Sequence, residues 1–290
     1  MAYGGFPGLH EMQKDENLIR SFLNGIYNTI LMKDVVEQNT VRDTDLLEKV
    51  ARFAAGNIGN IISAKKLSDY LTSGGRKTSH ETIDAYLDSL EKAFFLYRAP
   101  RYDIKGKALM KTLGKYYIVD AGLRYWSLGK KGVDIGSVLE NIVYLELIRR
   151  GYQVFVGKLP KPQKGNEDHE IDCLRRVHTQ EPATRGSLWG VKKGMYPETN
   201  TLPKQPYPVR SASPAQRVLG LVDFIAMKDG ITSYYQVTQF LQGKKVLDRE
   251  LAPLKTIDDN YEKIILSLDR TPFTDYEGIQ QRNIVEWLME

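Results

Sequence analysis

Over residues 17–37 the apolar positions Leu18, Ile19, Phe22, Leu23, Ile26, Ile30, Leu31 and Val35 recur at the spacing of one helical face, which predicts an amphipathic helix. A second helix is predicted over residues 43–55. Asp43 offers a capping oxygen, Leu46, Leu47, Val50, Phe53 and Ala54 face inward, and the glycines of Gly56-Asn57-Ile58-Gly59-Asn60 end it. Ser63 then caps a helix over 64–71, residues 72–77 turn, and Thr78-Ser79-His80-Glu81 opens a helix over 82–93 in the manner of a capping box. This is a helix-turn-helix spacing, and β-rich runs at 94–98 and 116–120 follow it as the strands of a wing would. Residues 43–125 are therefore expected to form a winged-helix-like domain, preceded by a helical segment over 1–42.

The pattern changes in the second half. Residues 138–148 are apolar around most of a helical circumference, so Glu140 is expected beside buried surface. A strand at 153–156 follows Gly151, strands at 222–226 and 233–238 flank a turn at Lys228-Asp229-Gly230, a buried strand occupies 263–268, and a short strand or helix spans 279–288. The predicted class is α/β (α+β), with a restriction-endonuclease-like domain over 134–290. Between about 168 and 221 the periodicity stops. That interval holds six of the twelve prolines and the single cysteine, and reads as a long irregular insertion. Removing it joins Lys164-Gly165-Asn166-Glu167 to Val222-Asp223-Phe224, a coherent turn entering a strand. Glu170-Ile171-Asp172 is the competing strand entry, but the alternating pattern continues after Asp223 and fails after Asp172.

Composition narrows the function classes. No apolar run reaches the roughly 20 residues a membrane-spanning helix needs, and the first residues lack signal-peptide character, so a cytoplasmic protein without membrane partners is expected. One cysteine forms no internal disulfide, and Cys173, His169 and His178 lack the fourth ligand of a zinc site. The net charge of +5 permits nucleic-acid contact without demanding it. Its distribution is more telling, because Arg98, Arg101, Lys105, Lys107, Lys111 and Lys115 face only Asp103 in one short stretch. With Ile83, Tyr86, Leu87 and Leu90 inward, the second helix of the pair turns Glu81, Asp84, Asp88 and Glu91 outward, and those carboxylates repel a DNA backbone. Nucleic-acid contacts are accordingly expected from Lys77, Arg98, Arg101, Lys105, Lys107 and Lys111.

Three polar residues carry candidate chemistry. A helix acid, Glu140, an acid entering a strand, Asp223, and Gln236 on the next strand occur in the order of the PD-(D/E)XK nuclease motif, in which carboxylates hold Mg²⁺ and a lysine steadies the nucleophile. Glu140 and Asp223 are the candidate Mg²⁺ ligands. Where that motif has E-X-K, this chain has Gln236-Val237-Thr238, which offers a neutral carbonyl and no ammonium. The expectation is a degenerate nuclease-like domain acting as a nucleic-acid- or partner-binding module, with an active Mg²⁺-dependent nuclease and a protein-docking module as alternatives.

Several strings together resemble one family: Tyr3-Gly4-Gly5-Phe6-Pro7, Gly25-Ile26-Tyr27, LMKDVV at 31–36, Asn57-Ile58-Gly59-Asn60, YYIVDAGL at 116–123, DIGSVLENIVYLEL at 134–147 and Val222-Asp223-Phe224. They are similar to predicted prokaryotic AAA+ superfamily ATPases that carry the C-terminal domain of unknown function 4143. The resemblance implies a winged helix and an endonuclease-like domain behind a P-loop module. No G-x-x-x-x-G-K-[ST] occurs in this chain, so ATP binding would belong to a module it lacks, no nucleotide cofactor is expected here, and a separately encoded ATPase becomes a candidate partner.

Overall fold

A computed structural model describes residues 4–12, 15–37, 41–129, 134–159, 221–270 and 274–290, all within one packed unit. The expected insertion, the rival strand entry at Glu170, the trio Cys173, His169 and His178, and the Lys111 side chain lie outside the described residues.

The first predicted helix is divided. Helix α1 (Glu16–Asn28) is capped by Asp15 and buries Ile19, Leu23 and Tyr27, and a π-helical stretch (Thr29–Glu37) continues the apolar stripe through Leu31 and Val35. Helices α2 (Thr44–Gly56), α3 (Ala64–Ser73) and α4 (His80–Lys92) start at Asp43, Ser63 and Ser79, whose side chains each accept a backbone N–H of the first turn. Helix α4 buries Ile83, Leu87 and Leu90 against the chain, while Asp84 and Asp88 are exposed and Glu91 is half-buried. The carboxyl of Glu91 is pushed up chiefly by that burial, against the opposing charge of Arg98.

The two strands expected at 94–98 and 116–120 extend into the basic stretch between them. Strand β2 (Leu96–Asp103) and strand β3 (Ala108–Ile118) form a hairpin, with Gly106 N–H donating to Asp103 Oδ1 and Lys107 at positive φ in its tip. A two-residue strand β1 (Ile61–Ile62) pairs β3 on its outer side. After β3, Asp120 leaves the strand to cap helix α5 (Ala121–Leu128), and its other oxygen accepts the Gly5 N–H at 2.6 Å. Helix α6 (Ile135–Arg149) follows, capped by Asp134, and leads into strand β4 (Gln153–Lys158).

The C-terminal part supplies the hairpin β5 (Leu221–Lys228) and β6 (Ile231–Val237), helix α7 (Lys244–Lys255), strands β7 (Glu262–Ser267), β8 (Thr274–Tyr276) and β9 (Ile279–Asn283), and helix α8 (Ile284–Met289). The stretch 279–288 is thus a strand followed by a helix. Sequence periodicity misses α7, whose twelve residues include Pro253.

All nine strands among the described residues join one mixed sheet in the order β1-β3-β2-β4-β5-β6-β7-β9-β8. Strand β2 pairs β4 in parallel, so the strands expected as a wing are hydrogen-bonded into the same sheet as the C-terminal strands. On one face, Leu139, Val143, Tyr144 and Leu147 of α6 and Trp287 of α8 bury Tyr117, Phe224, Tyr235 and Ile264. On the other, Leu251 and Leu254 of α7 cover Val222, Tyr234 and Ile265. At roughly 1.5–3 kcal/mol per fully buried large apolar side chain, these two layers supply the main driving force for closing helices onto the sheet. The result is a mixed α/β architecture, helices on both faces of one large sheet. No helix among the described residues is long and apolar enough to cross a membrane.

Candidate functional site

The site forms where the β5–β6 ladder opens. Backbone pairing runs from Lys228 opposite Ile231 to Phe224 opposite Tyr235 and ends there. Beyond that point side chains substitute for rungs: Asp223 N–H donates to Gln236 Oε1 at 3.4 Å, and Val237 N–H donates to Asp223 Oδ2 at 3.0 Å. Strand β4 stays paired to β5 past the fork, through a bulge between Phe155 and Gly157. A Cβ at Gly157 would stand 3.0 Å from that of Val222, so glycine permits this close passage of the two strands. Strand β6 likewise stays attached to β7 through Thr238 N–H and Leu266 O. The fork is therefore held from both sides.

Helix α6 delivers Glu140 to the fork. Asn141 fixes the helix by a two-way bond, accepting the Ile118 N–H at 2.8 Å and donating to the Ile118 carbonyl at 2.9 Å. Tyr144, one turn on, stacks on Tyr117 with ring centroids 4.3 Å apart. Within that frame Glu140 Oε1 accepts from Tyr117 OH at 2.6 Å and from Lys115 Nζ at 2.7 Å. Lys115 Nζ also donates to Asp223 Oδ1 at 3.1 Å, although β2 and β4 lie between β3 and β5 in the sheet. Gly59, at φ +73°, lies so close that an added Cβ would meet Glu140 Oε2 at 3.1 Å.

Glu140 and Asp223 thus converge on one ammonium, which comes from Lys115, while Gln236 bonds the Asp223 backbone N–H and Glu250 instead. The sequence places Lys115 among the cations of a wing, whereas the structure buries it to 5% exposure beside Glu140 at 5% and Asp223 at 3%. Alternation explains the difference: Lys115 and Tyr117 are two apart on β3 and share the face that α6 covers. A lone lysine within Leu113-Gly114-Lys115-Tyr116-Tyr117-Ile118-Val119 is the signal that could have found it. Thr238, at the motif's lysine position, is buried and takes no part in this ion cluster among the described contacts.

Burial and the neighbouring Glu140 carboxylate push the Tyr117 phenol well above its ordinary value, so it remains a donor. Behind Gln236 stands a further acid missed by sequence reasoning, Glu250 of α7, 1% exposed. Its Oε2 accepts from Gln236 Nε2 at 3.1 Å, and its Oε1 from Arg249 Nη2 at 2.7 Å.

Among the described residues no three His, Cys, Asp or Glu side chains are grouped to hold a metal. Glu140 and Asp223 nevertheless reach a single cation, the Lys115 ammonium, with hard oxygens. Mg²⁺ is commonly held by one or two carboxylates with water completing its shell, so the donor set fits that ion.

The cations expected to contact nucleic acid separate into two kinds. Lys77, Lys105 and Lys107 are exposed, the first in the α3–α4 turn and the others at the β2–β3 tip. Arg98 and Arg101 are half-buried on β2, each with an Nε that meets no hydrogen-bond partner.

Residues 1–134 match the model of a domain of unknown function, DUF8612. The chain is 34% identical over 288 residues to an uncharacterized protein of Haemophilus influenzae, covering 99% of this chain and 56% of that protein. It is 31% identical over 152 residues to an uncharacterized protein of Methanocaldococcus jannaschii, covering 52% of this chain and 33% of that one. The chain therefore spans little more than half of the first relative and a third of the second. No solved structure matches it. These findings overturn the resemblance to AAA+ superfamily ATPases with domain of unknown function 4143: the matching model is DUF8612, and both relatives are uncharacterized, with no ATPase link shown. The strings behind that resemblance do structural work instead, Gly5 on Asp120 and Gly59 against Glu140, and such packing carries no information about nucleotide binding.

Proposed function

We propose that this chain carries a phosphodiester-hydrolysing site of the restriction-endonuclease-like kind, with nucleic acid as substrate and the lysine supplied by β3. The observation that carries the reading is the meeting of Lys115 Nζ with Glu140 at 2.7 Å and Asp223 at 3.1 Å at the opened end of the β5–β6 hairpin. On this reading the nuclease motif is rearranged, with its ammonium moved from the Thr238 position to Lys115. Helices α3 and α4 with the β2–β3 hairpin are read as a winged-helix-like element merged into the sheet.

Glu140 and Asp223 would hold Mg²⁺, which supplies Lewis-acid polarisation of the phosphate and of a water molecule when bound. The chain's own groups do the rest. Lys115 places a positive charge beside both carboxylates, where it steadies charge growing on a phosphoryl oxygen. Tyr117 holds the Glu140 carboxylate in one orientation, and the Asn141 clamp fixes the helix that carries it. Exposed Lys105 and Lys107 at the hairpin tip attract the phosphate backbone.

A second reading rests on burial. Glu140, Asp223 and Lys115 are each at most 5% exposed, as in an internal ion cluster that clamps helix to sheet while the basic surface alone binds nucleic acid. End-labelled single- and double-stranded DNA and RNA, incubated with Mg²⁺ or Mn²⁺, separate the two. The nuclease reading predicts cleavage that falls on the order of a hundredfold or more in Asp223→Ala and Lys115→Met. Salt-dependent binding without cleavage in either metal refutes it in favour of the clamp.

A further inference from the structure

We propose that Arg101 is the residue that receives the nucleic-acid phosphate at the opened end of the hairpin; the inference rests on the hydrolytic site described under Proposed function. The two arginines of β2 look equivalent in the sequence, and strand register separates them. Arg98 pairs with Tyr116 and so leaves β2 on the face opposite Tyr117, where its charge opposes the effect of burial on Glu91 of α4. Arg101 leaves on the face that α6 covers. Its partner in β4 is Val156, part of the apolar layer under α6, and the next residue, Tyr102, turns the other way to meet the Phe155 ring at 5.8 Å. The same register sets Arg101 beside the ion cluster. Tyr102, Gly157 and Val222 form one rung across β2, β4 and β5, so Arg101 and Asp223 occupy the adjoining rung on either side of Val156. Two strand spacings, about 10 Å, part their backbones. Lys115 crosses β2 and β4 to reach Asp223 at 3.1 Å, and Arg101 stands beside the path of that side chain.

Two features single out Arg101. Its Nε is buried yet meets no hydrogen-bond partner among the described residues, and an unsatisfied buried donor costs stability unless a ligand completes it. Opposite Arg101 the ladder is interrupted: β3 sets four residues, 110–113, against this one, and Leu113 takes φ +66°. Bulges of this kind re-aim side chains beside reaction sites. A guanidinium presents a planar array of donors that matches two phosphate oxygens at once. Four residues further on, Lys105 opens the exposed hairpin tip. The tip, Arg101 and Lys115 therefore form one line of cations along the hairpin, which leads a nucleic-acid backbone from Lys105 to the carboxylates.

The test compares the full-length wild type with Arg101→Leu and Arg101→Lys. Three quantities are measured: thermal unfolding, metal-free binding of a fluorescein-labelled DNA duplex between about 50 and 200 mM salt, and cleavage of DNA and RNA in Mg²⁺ or Mn²⁺. Arg101→Leu removes a buried donor that has no partner, so it should melt no lower than the wild type. Its slope of log affinity against log salt should shrink by about 0.9, one phosphate contact. Its kcat should fall on the order of a hundredfold with a smaller change in KM. Arg101→Lys keeps the charge and loses the paired donors, so the slope should return to the wild-type value while kcat stays about tenfold low. An unchanged salt slope or an unchanged kcat in Arg101→Leu overturns the role of Arg101 and leaves the carboxylate site standing. A marked drop in its melting temperature does the same, because the guanidinium would then be holding the fold and not a phosphate. A wild type that cleaves neither DNA nor RNA in either metal overturns the hydrolytic site and this inference with it.

Discussion

Replacing Lys115 by Met tests the ion cluster at its centre. The substitution keeps side-chain length while removing the ammonium that contacts Glu140 at 2.7 Å and Asp223 at 3.1 Å. At an effective dielectric constant of about 20, charges that close attract by about 5–6 kcal/mol per pair, a gross value that desolvation largely offsets. The loss on truncation comes from two carboxylates left facing each other, with side chains only 6% and 5% exposed. Removing one partner of a buried pair costs about 3–5 kcal/mol. Urea unfolding followed by tryptophan fluorescence should show that loss with an unchanged denaturant slope, because Trp287 is buried and reports the core. Mn²⁺ should then stabilise the variant more than the wild type, by about 2.7 kcal/mol at a hundredfold excess over its dissociation constant. Cleavage should remain lost, because a metal replaces the charge of the ammonium but not its placement. A loss below about 1 kcal/mol, the worth of a surface pair, would refute the reasoning.

Tyr117→Phe leaves the buried Glu140 without its phenolic donor and should cost about 1–3 kcal/mol in chemical unfolding. The phenol's raised pKa also sets a pH dependence: stability falls as pH rises past the ordinary tyrosine value of about 10, and alkaline melts should show a shallower fall in Tyr117→Phe. Asp43→Ala removes the cap of α2 and should lower stability by about 1 kcal/mol at neutral pH. The Arg76 guanidinium and the Leu46 N–H hold the Asp43 carboxyl below its usual value, so its contribution is present above the ordinary carboxylate range and is lost as pH falls. Unfolding curves of wild type and Asp43→Ala should therefore converge in acid. Charge reversal at Lys105 and Lys107 should weaken duplex binding and reduce the slope of log affinity against log salt by about 0.9 per phosphate contact removed.

The helical starts were readable because capping is local: Asp43, Ser63 and Ser79 each bond an N–H of their own first turn. Glu140, Asp223 and Gln236 were readable as candidates from their order along the chain. The meeting of Glu140 and Asp223 with Lys115 was not, since it depends on a parallel pairing of β2 with β4 that no local pattern encodes. Charge counting misplaced Lys115, because six cations within eighteen residues look alike until the hairpin sets Lys105 in its exposed tip and Lys115 within β3 on the face that α6 covers. Glu250 was missed for a different reason: it sits on a helix containing Pro253, and Lys244-Lys245 with Asp248-Arg249 make that segment look solvated. The DUF8612 match ends at residue 134, before Glu140, so it covers the half that contributes Lys115 and Gly59 and none of the carboxylates.

Anomalous scattering from crystals soaked in Mn²⁺ locates the metal without relying on turnover. A peak within coordination distance of both Glu140 and Asp223, absent in Asp223→Ala crystals treated alike, is the predicted result. A saturating soak that leaves Lys115 bridging the two carboxylates, with no peak beside them, would contradict the assignment of this fork as a metal-dependent phosphodiesterase site.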